Sequence, residues 1–578
     1  MSQERPNSLT GAEAMVHMLK AYGVKHIFGL CGDTSLPFYD ALFRMDHGID
    51  HILTRDERCA AYMADGYARV TNRIGVCEGP SGGGATYIAP GLVEANESSV
   101  PILAINSDVS TTSTGRYPLT ELDQKALFRP LTKWNGVLDN AATLPRMVRT
   151  AFRAMTTGRP GAAHLAFPID VQRAETPPDE LWADPAHQSY PAWASAPDPA
   201  NVAVAIELLL KSSSPMIICG GGPVISGAMD ELQRFVERLD LPVATSVSGK
   251  GVIAETHPNC LGVVGSNGGC DAATAAVAAA DLVIFIGCRA GSVTTERWSI
   301  PKAGAKIIHI DSDPMVIGAS FDTDVALVGD ARLALAAFNM LLDGLGDRDM
   351  PGGFNGGAVA AKVQTARQTR FRGLATSDAT PILPERVVDS LNRLLPDNSV
   401  VVADPGTPCP YMSAYLTMKK PGRRCRLPWV RISAVPMQKP FPSWAMAVLP
   451  LPPVNLKPLS GATCRSPSLC SPTAFSAGSR PVRNPVSANA SFQSTSTVPT
   501  MPPWHRPMAS SHGVWNSRGN WMLPWPPRWP MTDRHWSMSS ASRYRMPQHR
   551  SANGLPDQKK YGESASVSGD RPDMLIVT

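Results

Sequence analysis

The chain has 578 residues, 43% hydrophobic and 18% charged, enough for about three or four domains that each bury a core. Its net charge of +5 conceals an asymmetry: residues 1–424 carry 37 Lys+Arg against 44 Asp+Glu, and residues 425–578 carry 17 against 5. The eleven cysteines form no Cys-x-x-Cys pair or Cys/His cluster of zinc spacing, Met1–Ser8 is polar, and no run of about eighteen apolar residues occurs, so no zinc site, signal peptide or membrane span is expected. Free thiols and an ordinary acidic front half point to a reducing, cytoplasmic setting.

The front reads as alternating strands and helices. Thr10 and Glu13 form a capping box before the helical stripe of Met15, Met18, Leu19 and Tyr22. Gly23 stops that helix, and His26–Phe28 reads as a buried strand. A strand at His51–Thr54, a helix at Asp56–Val70 and a strand at Gly75–Cys77 follow. Next come a glycine loop at Gly79–Gly84, a helix through Ala95 and a strand at Pro101–Asn106. This alternation predicts a doubly wound parallel sheet. Ala174–Pro199 reads as a linker. A second alternating block has strands at Met216–Cys219, Pro242–Thr245, Leu282–Ile286 and Lys306–Ile310. Asp343–Thr376, rich in Gly, reads as another linker. A third block opens with a helix at Leu383–Leu394 and a strand at Ser399–Ala403. Asp404-Pro405-Gly406-Thr407 follows at the strand end, where open α/β sheets place ligands. The expected organisation is α/β: successive doubly wound domains at 1–180 and 195–345, the start of a third at 375–424, and a disordered tail at 425–578.

The most specific motif is Thr54-Arg55-Asp56-Glu57-Arg58-Cys59-Ala60-Ala61-Tyr62-Met63-Ala64-Asp65-Gly66-Tyr67-Ala68-Arg69. It places Glu57 just after a strand, in the first turn of a small-residue helix that can pack closely and aim the carboxyl at a crevice. Alone, an acid at a helix N-terminus is a dipole complement facing water. The surrounding pattern changes that reading. Thr10–Glu13, Gly23–Gly29, Gly32 with Leu36-Pro37, Gly79-Pro80 with Gly84-Ala85-Thr86, and Ser99–Ile102 together resemble the thiamine diphosphate enzymes of the acetolactate synthase large-subunit type. The resemblance spans about residues 8–424.

That resemblance implies a carboligase or decarboxylase acting on a small 2-keto acid or aldehyde, with thiamine diphosphate and Mg²⁺ as cofactors. It implies that Glu57 is the catalytic acid, hydrogen-bonded to the cofactor's aminopyrimidine ring nitrogen. A partly buried carboxyl with a raised pKa suits such proton sharing. It further implies cofactor contacts from Gly32, Asp33, Pro80, Gly406 and Thr407, and a homodimer or homotetramer. The chain itself offers no metal ligand at the expected place. The family's Phe-Gln pair near the active site aligns with Leu119-Thr120, a departure from true acetolactate synthases. In the middle block, Gly220-Gly221-Gly222-Pro223 and His309-Ile310-Asp311-Ser312-Asp313 lack the full dinucleotide fingerprint. Structural use is favoured there over the FAD that some family members carry.

From Pro405 through Thr532 there is no Asp or Glu, and eight of the twelve Trp lie beyond Arg424. The family holds the diphosphate through Mg²⁺ with a Gly-Asp-Gly motif and an Asn about 25 to 30 residues on, because Mg²⁺ takes hard oxygen ligands. No Gly-Asp-Gly occurs in the chain. Regrouping each codon's last base with the next two restores one. Trp444 before Ala445 and Met446 before Ala447 each become Gly, and the codon between them reads Asp, Asn, His or Tyr. The Pro472/Thr473 junction permits Asn, while Trp515 becomes Glu and Trp521 becomes Asp. The region from about 425 therefore reads as an out-of-frame translation, with activity lost alongside the motif. Two alternatives are a non-enzymatic remnant and a basic, Trp-rich tail that binds single-stranded nucleic acid. Exposed Trp at this density argues against a segment selected for solubility, and nucleic acid is not the favoured partner.

Overall fold

A computed structural model describes residues 8–345, 353–396, 399–403, 406–422 and 574–577. The first 176 residues supply strands β1 (Leu9–Thr10), β2 (His26–Gly29), β3 (Asp50–Leu53), β4 (Gly75–Gly79), β5 (Ile102–Asp108), β6 (Trp134–Val137), β7 (Ala163–Pro168) and β8 (Glu175–Thr176). Six of these form a wholly parallel sheet in the order β3-β2-β4-β5-β7-β6, and β1 pairs antiparallel with β8. Strands β2, β4 and β7 are buried along their whole length, as a sheet covered by helices on both faces requires. One face packs Ile27, Val76, Leu103, Ile105 and Leu165 against the Gly11–Ala21, Leu36–Arg44 and Leu144–Thr156 helices. The other packs Phe28, Cys77, Ile102 and Ala104 against the Glu57–Thr71 and Gly83–Glu97 helices. The Thr10/Glu13 capping box forms as the sequence predicts.

The second sheet contains β9 (Pro215–Cys219), β10 (Val243–Thr245), β11 (Cys260–Val263), β12 (Leu282–Ile286), β13 (Lys306–Asp311) and β14 (Val325–Val328). It is parallel in the order β11-β10-β9-β12-β13-β14, so its topological switch point lies between β9 and β12. Beyond it, β15 (Val400–Ala403) pairs in parallel with β16 (Met574–Val577). The buried Lys250 ties the middle block to the third: it pairs with Glu255 and donates to the Ser413 carbonyl at 3.1 Å. Glu255 in turn accepts from the Met418 N–H at 2.8 Å. The α/β class holds for the described residues. Apart from Met574–Val577, the tail from 425 onward lies outside them.

Two segments read as linkers are built differently. In Ala174–Pro199, Tyr190 donates to the Ala68 carbonyl at 3.0 Å and the buried His187 contacts Thr156 Oγ1 at 2.7 Å, so this stretch is stapled onto the first domain. Within Asp343–Thr376 runs a helix at Gly356–Ala375, from which Gln364 donates to the Cys260 carbonyl at 2.7 Å. Its Gly-rich approach conceals an interior of good helix formers.

The Glu57–Thr71 and Gly83–Glu97 helices touch where they cross, and the contact depends on Gly91. A methyl there would stand 2.4 Å from the Ala61 Cβ. Gly91→Val should therefore overpack the crossing and cost about 1–3 kcal/mol. Urea denaturation of the variant beside the parent chain measures this, and an unchanged midpoint would show that the helices separate freely.

Candidate active site

The turn after β3 sets the position of Glu57. The Asp56 side chain caps the helix by accepting from the Arg58 N–H at 2.8 Å, and the Arg58 guanidinium returns to Asp56 at 2.7 Å. Those two residues are thereby committed to each other. Glu57, between them, turns inward and is 8% exposed. Three glycines make room around it. A methyl at Gly84 would meet Glu57 Oε1 at 3.1 Å and Pro80 at 2.6 Å, one at Gly79 would meet Glu57 Cγ at 3.3 Å, and one at Gly32 would meet Pro80 Cβ at 2.5 Å. Gly32, Pro80 and Glu57, singled out separately in the sequence, thus form one crevice wall.

No described side chain hydrogen-bonds the Glu57 carboxyl. Burial raises its pKa, and the charge of Asp56 adds to the rise; its own backbone N–H and Arg58 oppose it. The carboxyl therefore holds a proton more readily than an exposed glutamate does.

The loop above this wall is shaped by Ser81, Gly82 and Thr120. Ser81 Oγ lies 2.6 Å from Thr120 Oγ1, and its N–H donates to Thr34 Oγ1 at 3.1 Å. Gly82 has φ +64°, and a methyl on it would stand 2.7 Å from the Thr120 Cβ, so glycine is required there. Thr120 thus seats its segment on the glycine loop, while its neighbour Leu119 is exposed. Asp33 opens a short turn after Gly32, is exposed, and makes no side-chain hydrogen bond to a described residue. Gly406 and Thr407 sit after β15, with Thr407 preceding the Pro408–Tyr415 helix and the Gly406 carbonyl accepting from Cys409 at 3.2 Å. Asp404 and Pro405 lie outside the described residues, and among those described no cluster of three or more His, Cys, Asp or Glu could hold a metal.

Sequence reasoning missed Glu78, the residue just before Gly79. It is fully buried, and its Oε2 accepts from the Tyr39 hydroxyl at 2.6 Å, which also lies 2.9 Å from His51 Nε2. Burial, aided by the charge of Glu57, pushes its pKa up to about 8 despite the Tyr39 and Ser35 hydroxyls. Burial likewise lowers His51 to about 4, so both groups are neutral near pH 7. An acid inside an otherwise apolar, wholly buried strand was the available signal.

A concavity of about 760 Å³ opens at the carboxyl ends of β9, β10, β12 and β13, and Arg159, Arg289 and Asp311 line it. Two of its glycines serve close backbone approach: a methyl at Gly220 would stand 2.0 Å from the Gly287 carbonyl oxygen, and one at Gly222 would stand 2.6 Å from the Gly287 Cα.

Comparison with known proteins places both sheets. The model of the thiamine pyrophosphate enzyme N-terminal TPP binding domain matches residues 9–127, and that of the thiamine pyrophosphate enzyme central domain matches residues 202–338. The probable acetolactate synthase large subunit of Methanococcus aeolicus is 35% identical over 424 residues, which is 72% of this chain and 70% of that protein. Its counterpart in Methanocaldococcus jannaschii is 37% identical over 423 residues, covering 72% and 69%. The acetolactate synthase isozyme 3 large subunit of Escherichia coli K12 is 30% identical over 417 residues, covering 72% and 71%.

Glu78 makes stability depend on pH with a definite sign. Its folded pKa lies above its unfolded value, so its contribution is complete below about pH 4.5 and is lost progressively as the pH rises to about 8. Glu78→Gln should remove that fall. Denaturant midpoints between about pH 5 and pH 8 test it: the parent should decline more steeply than the variant, and parallel curves would place Glu78 as an ordinary anion.

Proposed function

The chain belongs to the thiamine pyrophosphate enzymes of the acetolactate synthase large-subunit type, and from that premise we propose that the reaction of its lineage is carboligation or decarboxylation of a small 2-keto acid or aldehyde in the Glu57 crevice. The observation that carries this reading is a buried carboxyl, raised in pKa and without a hydrogen bond from any described side chain, set against Gly32, Pro80 and Gly84. Such an acid fits the aminopyrimidine end of thiamine diphosphate, which offers it a ring nitrogen. When bound, that cofactor supplies the electron sink that 2-keto acid chemistry needs. The protein's part is to hold a proton at Glu57, orient the ring against Pro80 and keep water from the carboxyl. Leu119-Thr120 in place of the Phe-Gln pair supports a substrate other than that of true acetolactate synthases. The close approach of Gly220 and Gly222 to Gly287 supports structural use of those glycines in the middle domain rather than an FAD phosphate site.

The diphosphate end is where this chain departs from its lineage. Gly406 and Thr407 offer a strand-end loop, but the run from Pro405 through Thr532 contains no carboxylate to hold Mg²⁺. The hidden Gly-Asp-Gly supports reading the segment from about 425 as out of frame, and the chain as written as inactive. Assembly into a homodimer or homotetramer belongs to the intact lineage, which builds each site from two subunits. No helix among the described residues is long and apolar enough to cross a membrane, in keeping with a small-molecule enzyme that needs none.

Calorimetric titration of the chain with thiamine diphosphate and Mg²⁺ should give weak binding at best, indifferent to the metal. Micromolar, Mg²⁺-dependent binding would mean that the written tail supplies a metal site. In a gene with the frame restored, Glu57→Gln should lower turnover by about 10²-fold, the scale of a lost proton-transfer partner. Turnover near that of the frame-restored parent would remove Glu57 from the reaction.

A further inference from the structure

Beside Glu57 lies a buried amide that neither the motif nor the proposed reaction accounts for. Asn106, near the end of β5, is fully buried, and its Nδ2 donates to the Gly79 carbonyl at 3.3 Å. Its Oδ1 is buried as well and has no hydrogen-bond partner among the described residues. A buried acceptor left without a donor is destabilising, so this oxygen calls for a partner. Reversing the amide gives no remedy, because Oδ1 would then face the Gly79 carbonyl, acceptor against acceptor.

Glu57 borders the same glycine as this amide. A methyl on Gly79 would stand 3.3 Å from Asn106 Nδ2 and 3.3 Å from Glu57 Cγ, so the amide and the acid meet across that one glycine. An ionised Glu57 offers Oδ1 nothing, since both are acceptors. A protonated Glu57 offers it an O–H. We propose that Asn106 is a positioning residue for Glu57: its Oδ1 accepts the hydrogen bond of the protonated carboxyl and holds the acid form in the crevice until a ligand's ring nitrogen competes for that bond. No covalent step is involved; the proton stays on Glu57 and the hydrogen bond changes acceptor.

The groups facing Glu57 from each neighbouring element agree with this. On its own helix and cap, Arg58 is engaged with Asp56, and the Asp56 charge disfavours a second anion. From β4 comes Glu78, and from the Leu36–Arg44 helix comes Tyr39, each held toward its own neutral form chiefly by burial, so neither brings a cation to the carboxyl. No described Lys or Arg side chain bonds to the carboxyl to favour its anion.

Only the identity of the competing ligand rests on the function proposed above, and the test needs no cofactor. The Glu57 carboxyl would be titrated in the full chain by infrared spectroscopy with labelled glutamate, its band assigned by subtracting Glu57→Gln. Asn106→Leu, of similar size but lacking the acceptor, should weaken proton binding at Glu57 about tenfold or more. Asn106→Asp, which adds a second carboxyl, should strengthen it. Opposite shifts would establish a positioning role, because a merely structural residue would alter stability without moving the two titrations apart. Unchanged midpoints in folded samples of both variants, or shifts of one sign, would overturn it. If Leu fails to fold, the Asp variant and Asn106→Ser carry the test, with Ser expected to restore most of the parent's proton affinity. A shift found in a chain that does not bind thiamine diphosphate would uphold Asn106 and count only against the cofactor reading.

Discussion

A carboxyl taken out of water without a cation to accompany it is the constraint on which this site depends. Glu57 is enclosed because Asp56 and Arg58 satisfy each other, leaving the residue between them to turn inward. Removing an ionised carboxylate from water costs far more than removing the neutral acid, so an unpaired buried carboxyl takes up a proton. That preference extends to Glu78, which is more deeply buried and is pushed upward by the charge of Glu57. Two acids near one strand end cannot easily be charged together. Both acids are thereby held toward their protonated forms, Glu78 the more strongly.

The rest of the first domain is arranged to permit that enclosure. A parallel sheet with helices on both faces buries its central strands completely, so a polar residue at a strand end faces either a ligand or another buried group. Gly79 and Gly84 let the Glu57 side chain and Pro80 approach the glycine loop at distances a β-carbon would not allow. Gly91 lets the Glu57 helix lie against its neighbour, which keeps the carboxyl over that loop. These small residues serve backbone and helix approach first, and the crevice follows from that approach.

Much of this was legible in the sequence, for identifiable reasons. Strands such as Leu282–Ile286 are uninterrupted apolar runs between turn residues, and their limits could be read directly. Strands β6 and β7 escaped because Trp-Asn-Gly-Val and Ala-His-Leu-Ala-Phe-Pro carry glycine, histidine and proline that blur the period. The helix at Gly356–Ala375 escaped because glycines crowd its start. Glu57, Gly32 and Pro80 were found through their motif and do come together. Glu78 was passed over although an acid inside an apolar strand marked it, and Asn106 was not found because what makes it unusual is its company of Gly79 and Glu57 from other elements. A missing hydrogen bond has no sequence signature.

The division of labour between domains bears on the proposed loss of the diphosphate end. The wall around Glu57 draws its residues from Gly32 to Thr120, all within the first domain, which is tied together by β8 and the Tyr190 staple and also takes Val402 of β15 into its core. Nothing in that wall requires a carboxylate from beyond β15 to fold. The diphosphate end is the opposite case: a hard cation needs oxygen ligands from a completed third domain, and no local substitution in the first domain could replace them. A change of reading frame after Arg424 would therefore leave Glu57, Glu78 and Asn106 with their proton chemistry intact while removing the electrostatic anchor that brings the charged ligand to them. An acid poised in this way has no intrinsic hold on a diphosphate, since hydrogen bonds to one ring cannot compensate an unneutralised anion elsewhere in the ligand. On that proposal, binding and proton transfer belong to different domains and can be lost separately.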